Sequence, residues 1–195
     1  MNAPRTVTDA AWVTVDTAMD RAALAAFCAD VERLFRINPL LEVKAWRPIA
    51  ADRFDVIFKN LATRRELKTE LTVQREASAV TVHYAGGLKR RTRFEVEALP
   101  PGSRLTVVDD YSGVEADEAH ARKDEIDPTL TAWGHALHAY LARHRRWSRY
   151  AAWRWYMRRI WLPMTPSGRR ITYMLWVVTA VEIAAIAAAI ALLSA

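Results

Sequence analysis

Residues 64–75, RRELKTELTVQR, set the fold class of this chain. Leu67, Leu71 and Val73 fall on one side of an alternation whose other side is Glu66, Lys68, Glu70 and Gln74. A period of two puts the apolar set on one face of a pleated strand and the charged set on the other. The charged face carries both signs and can pair across to neighbouring strands. The stretch therefore reads as a half-buried strand of an antiparallel sheet with one wet face.

The same period extends in both directions, from Leu41 to Gly113. It predicts strands near 42–48, 53–60, 64–75, 79–85, 88–98 and 104–113, with turns at Gly86-Gly87 and Pro100-Pro101-Gly102. A further strand, Ala11–Thr17, precedes them. Between it and the sheet lie two short helical pieces. Asp20 is placed to cap the one carrying Leu24, Phe27 and Cys28. Asp30 opens the second, with Val31, Leu34 and Phe35 on one face and Asn38-Pro39 as the stop. After the acidic connection Val114–Asp127, the pair Asp127-Pro128 predicts the start of a long helix. Leu130, Trp133, Leu137, Tyr140, Leu141 and His144 recur on it at helical spacing and form the face that packs on the sheet.

The last two strands carry the candidate site. A turn at Pro100–Gly102 sets Val96 opposite Leu105, Phe94 opposite Val107, Thr92 opposite Asp109 and Arg90 opposite Tyr111. The Phe-Val-Leu-Val end marks this face as the inner one. Arg90, Thr92, Phe94, Asp109 and Tyr111, with Trp133 and Leu137 from the long helix, are the predicted ligand-binding residues. Arg90 and Asp109 lie on a diagonal close enough to pair. An apolar pocket with a few convergent polar groups is what a ligand site needs. The competing reading is that these polar residues sit at strand ends, where the sheet opens to water.

Composition narrows the chemistry. Cys28 is the single cysteine in 195 residues, so there is no intrachain disulfide and no thiolate metal cluster. Its apolar surroundings read as a buried thiol rather than a nucleophile. His135 and His138 stand three apart, with no nearby carboxylate or cysteine to complete a metal set. His83 and Tyr84 point to opposite faces. G-x-S-x-G, a Gly-rich phosphate loop and H-E-x-x-H are all absent from the sequence. No metal, cofactor or catalytic pair is predicted.

The C-terminal third is different in kind. Ile171–Leu193 is 23 residues long with Glu182 its only charge, long enough for a membrane span. Between Pro128 and Arg170 there are nine arginines and no acid, whereas residues 1–127 carry 19 basic against 21 acidic residues. The positive charge is thus local, and it places the preceding domain on the cytoplasmic side. Trp147, Arg149, Trp153, Trp155, Arg158, Arg159 and Trp161 are the predicted membrane-interface residues, since aromatic rings and arginines favour the headgroup layer. A solvated helix face and a nucleic-acid stripe are the other readings of such a run; the adjoining span favours the membrane, and no nucleic-acid partner is predicted. Glu182 is the predicted partner-helix residue, because alanines at 180, 184, 187, 188 and 191 let a second helix approach closely. The plain alternative is an anchor that tolerates one protonated Glu.

The stretch Leu24–Pro48, LAAFCADVERLFRINPLLEVKAWRP, resembles the opening helices of the START-like helix-grip superfamily, with ADVER followed by NP as its motif. That group (SRPBCC) includes polyketide cyclases, lipid-transfer domains and coenzyme Q-binding proteins. The resemblance covers about residues 10–145. It implies an α+β fold in which a curved antiparallel sheet wraps a long last helix and leaves a cavity between them. The expected organisation is a leader (1–9), the helix-grip domain (10–145), a basic aromatic juxtamembrane segment (146–170) and a transmembrane helix (171–193) acting as a C-terminal anchor. The expected function is non-catalytic binding of a hydrophobic small molecule, a lipid or an isoprenoid such as a quinone, at the membrane. The alternatives are an accessory subunit docking to an integral-membrane partner through its span, and an enzyme of the cyclase or aromatase type.

Overall fold

The computed structural model describes residues 10–112 and 123–193. The predicted leader 1–9 and most of the acidic connection, 113–122, lie outside the described residues. Seven strands form one antiparallel sheet: β1 (Ala10–Thr17), β2 (Leu41–Ala50), β3 (Arg53–Asn60), β4 (Glu66–Arg75), β5 (Ala79–Tyr84), β6 (Arg91–Leu99) and β7 (Gly102–Asp110). Their order is β1-β7-β6-β5-β4-β3-β2, a meander closed at one edge by the N-terminal strand. Two short helices, α1 (Arg21–Cys28) and α2 (Val31–Ile37), separate β1 from β2. Asp20 accepts from Ala23 N at 2.8 Å and Asp30 from Arg33 N at 3.2 Å, so both predicted caps form.

The long helix α3 runs Lys123–Trp147. Its start differs from the sequence reading: helix is already under way five residues before Pro128. Pro128 stands six residues in, where a proline gives up one rung and its ring crowds the carbonyl four residues back; its fixed φ is nonetheless helical, and the helix begins before it. The face predicted to meet the sheet does so, with Leu130, Trp133, Leu137, Tyr140 and Leu141 all buried.

Two details fix α3 on the sheet. Gly134 faces β1 so closely that a Cβ there would lie 2.4 Å from Val13 Cγ2. At the preceding position, the Trp133 indole N–H donates to the Leu34 carbonyl at 2.9 Å, tying α3 to the last turn of α2. The ring of Phe35 then stacks on Phe58 (5.3 Å between centroids) and meets Trp133 (5.5 Å), and Phe94 stands edge-on to Trp133 at 5.5 Å. Edge-to-face and offset pairs of this kind add to the burial of the rings themselves. The outer face of the sheet carries the charges the alternation predicts: Arg53 pairs with Glu70, Arg93 with Glu76 and Glu95, and Arg104 with Asp16.

Past α3 the chain turns at 148–150 into α4 (Ala151–Tyr156) and a wide π-helical turn, Met157–Trp161. This segment folds back on the domain: Met157 and Leu162 are buried, and Trp153, Tyr156 and Trp161 pack against the core. The chain then breaks at Pro163 and enters α5 (Pro166–Leu193). Arg169, at the head of α5, clasps the junction by donating to the carbonyls of Trp161 (2.9 Å), Leu162 (2.8 Å) and Arg36 (2.6 Å).

Candidate functional site

A cavity of about 270 Å³ lies between the sheet, α2 and α3. Phe35, Phe58 and Trp133 form its apolar wall, and Lys89 and Tyr111 stand at its polar end. The turn after β5 shapes that end. Gly87 has φ +111°, a conformation side chains rarely adopt, and Leu67 from β4 packs where its Cβ would be.

Behind the polar end runs a hydrogen-bonded chain with a defined direction. Asp109 is 1% exposed and Thr92 is fully buried. Thr92 Oγ1 lies 2.6 Å from Asp109 Oδ1 and 2.9 Å from Tyr84 Oη. A carboxylate only accepts, so Thr92 donates its single proton to Asp109 and the Tyr84 phenol donates to Thr92. The Tyr111 hydroxyl reaches Asp109 Oδ2 at 3.4 Å, and Lys89 Nζ forms an ion pair with the same oxygen. Burial, reinforced by the Asp109 charge, pushes the Tyr84 phenol far above its ordinary range, so it stays protonated. The Lys89 ammonium also lies 5.9 Å from the Trp133 ring centre and 6.0 Å from that of Tyr111.

The predicted register is found in the sheet: Val96 faces Leu105, Phe94 faces Val107 and Thr92 faces Asp109. Arg90 is a correction. It is exposed and precedes the first residue of β6, and the ion pair of Asp109 is with Lys89, a residue the sequence reading did not single out. The predicted strand began at 88, but 85–90 is turn, held by Tyr84 N–H to the Arg90 carbonyl and Arg90 N–H to the Asp110 carbonyl. Alternation does not run through a turn, so position 89 rather than 90 delivers its side chain inward. The Gly86-Gly87 pair was the signal for this. Of the other predicted ligand residues, Tyr111 and Trp133 line the cavity, Thr92, Phe94 and Asp109 lie just behind its wall, and Leu137 is buried deeper in the core. Among the described residues no group of three metal-ligating side chains converges.

The predicted interface residues divide into two sets. Trp147, Arg149, Trp155, Arg158 and Arg159 are exposed, whereas Trp153 and Trp161 are half-buried against the domain. Among the described residues α5 is the one helix long and apolar enough to cross a membrane, and its most apolar stretch is wholly exposed. Glu182 is exposed near its middle.

No family model matches the sequence, and no curated protein matches it. Solved structures do. A solution structure of a protein from Arthrobacter aurescens aligns at 12% identity over 70% of this chain and 87% of its own, with a TM-score of 0.50. The crystal structure of a conserved protein from Geobacillus kaustophilus gives 9% identity over 69% and 95%, also at 0.50. The di-domain ARO/CYC StfQ of the steffimycin biosynthetic pathway gives 7% identity and 0.51, over 71% of this chain and 52% of that one. These likenesses, together with the curved seven-stranded sheet around α3, show that the chain has the α+β helix-grip fold.

Proposed function

We propose that the chain is a non-catalytic binding protein for a hydrophobic small molecule, a lipid or isoprenoid such as a quinone, held at the cytoplasmic face of a membrane by α5. The observation that carries this reading is the 270 Å³ cavity with aromatic walls and a polar end at which Lys89 and Tyr111 stand. Apolar area supplies affinity and a few polar groups fix orientation. A cavity of this size accommodates a ring or a short chain segment. An ammonium has three N–H donors, of which the Asp109 pair needs one, so the polar end favours an oxygen acceptor such as a carbonyl. Tyr84, which lines the cavity, donates through Thr92 to Asp109, and Lys89 pairs with that carboxylate, which supports a fixed polar end able to orient a ligand.

The test is mass spectrometry of organic extracts from the full-length protein purified out of membranes. A quinone or lipid retained by the wild type and depleted in Tyr111→Phe and Lys89→Met is expected. Identical extracts from all three proteins would overturn the assignment.

A second reading rests on Glu182. A carboxylate at mid-span costs about 2.5–3.5 kcal/mol on insertion scales, and a donor on a neighbouring helix offsets that cost. In this reading the chain is an accessory subunit docked through α5. Cross-linking from Glu182→Cys in native membranes decides it: adducts to protein support the docked subunit, and adducts to lipid alone exclude it.

A further inference from the structure

A second hollow, about 340 Å³ and separate from the ligand cavity, lies where the domain meets the head of α5. Its basic side is built by Arg143 from α3 and by Arg169 and Arg170 from α5; its apolar side by Trp161, Tyr173 and Met174. Arg169 is fixed by its three carbonyl acceptors, so one guanidinium lines the groove in a set position. Arg143 donates its Nε to the Ala139 carbonyl at 3.2 Å, and Arg170 reaches the Pro39 carbonyl at 3.4 Å. Each guanidinium has five N–H donors, so both keep several for an incoming anion. None of the three arginines has a carboxylate partner among the described residues.

The two sides of the groove ask for different chemistry. Three guanidinium groups without a carboxylate partner favour a phosphate, which matches their geometry and charge. Tyr173 and Met174 belong to the first turns of the apolar helix, where the headgroup layer passes into hydrocarbon. An occupant must therefore carry an anionic head and an apolar tail at adjoining depths. Inorganic phosphate lacks the tail, and a choline headgroup would bring a cation against three arginines.

We infer that this groove is a specific site for one acidic glycerophospholipid, with its phosphate between Arg143 and Arg170 against Arg169, and an acyl chain along Tyr173 and Met174. The site clamps the domain to the bilayer at a fixed height. It differs from the diffuse attraction of the exposed Arg158 and Arg159, which draws any anionic surface without selecting a lipid. The inference rests on α5 being a membrane span, and the experiment separates the two claims.

Full-length protein in neutral detergent is titrated with phosphatidylglycerol, phosphatidylcholine or inorganic phosphate and followed by native mass spectrometry. One phosphatidylglycerol is expected to remain bound. The double variant R143A/R170A should weaken it by about tenfold or more, while R158A/R159A, which removes the same charge outside the groove, should change it by less than about twofold. Equal loss in both variants, equal retention of phosphatidylcholine, or displacement by inorganic phosphate would each overturn the site. Carbonate extraction of membranes containing the wild type tests the span independently: a protein that resists extraction but retains no phosphatidylglycerol refutes the site alone. A protein released by carbonate refutes both.

Discussion

Thr92 donates to Asp109 across the β6–β7 pair at 2.6 Å, in a place neither residue shares with water. A buried carboxylate persists only where donors and an opposite charge compensate it. Here Thr92 donates to one carboxylate oxygen, and Lys89 with Tyr111 donates to the other. The same two residues, Lys89 and Tyr111, line the cavity, so the site and the fold share one set of hydrogen bonds.

Removing the carboxylate should therefore weaken both. Asp109→Ala leaves the buried Thr92 hydroxyl without its acceptor and should cost about 1–3 kcal/mol, the penalty for an unsatisfied buried donor, while the partly exposed Lys89 can turn to water. Asp109→Asn keeps an acceptor for Thr92 and should cost less. Urea denaturation of the two variants checks the ranking.

The contact between Gly134 and Val13 gives a prediction with its own rescue. In Gly134→Ala the new Cβ would fall 2.4 Å from Val13 Cγ2, and the β-branched side chain has little room to rotate away. Overpacking of this kind costs about 1–3 kcal/mol, more than the roughly 1 kcal/mol that Ala gains over Gly in a helix. The variant should be less stable than wild type. Combining it with Val13→Ala should be less harmful than the two single changes summed, and a double-mutant cycle by thermal denaturation measures that coupling.

How far the sequence carried the structure can be seen at these same residues. Thr92 and Asp109 were legible because alternation and a tight turn together fix register, and a slip by one would have exposed Phe94 and Val107. Lys89 was not, because period two says nothing inside the Gly86-Gly87 turn. The fold-back of Ala151–Leu162 was also hidden. Aromatic residues and arginines have the same spacing whether they meet headgroups or a protein core, and only Met157 and Leu162, two ordinary apolar residues, separate the cases by being buried. The start of α3 was misplaced because Asp127-Pro128 has the chemistry of a helix start without having to be one.

Cys28 is fully buried at the end of α1, and burial raises its thiol to about 12, the nearby Arg33 charge lowering it only in part. The reactive species is the thiolate. Folded protein should thus resist thiol reagents at pH 8, and modification should appear only as the domain unfolds. Labelling with a maleimide across a urea series checks this. It also makes Glu182→Cys the accessible thiol for cross-linking.

His144 closes α3 among the rings of Phe27 (5.3 Å), Trp153 (5.6 Å) and Tyr140 (6.0 Å), and its Nδ1 is buried with no hydrogen-bond partner among the described residues. Burial, then the Arg33 charge, lowers its pKa from the ordinary 6.5. In the unfolded chain the imidazole takes a proton as pH falls through 6.5, while in the folded protein it resists until a lower pH. The unfolded state binds more protons across that interval, so stability must fall as pH drops below 6.5, and the loss is complete once pH is beneath the folded value. Above 6.5 both states are neutral and this residue adds no pH dependence. His144→Phe keeps a ring in the aromatic cluster and has no proton to take. Its denaturation midpoint should therefore fall less than the wild type's between pH 7 and pH 5. Parallel slopes for the two proteins would mean that other groups carry the acid sensitivity, and that the packing of α4 against the end of α3 is indifferent to the charge of His144.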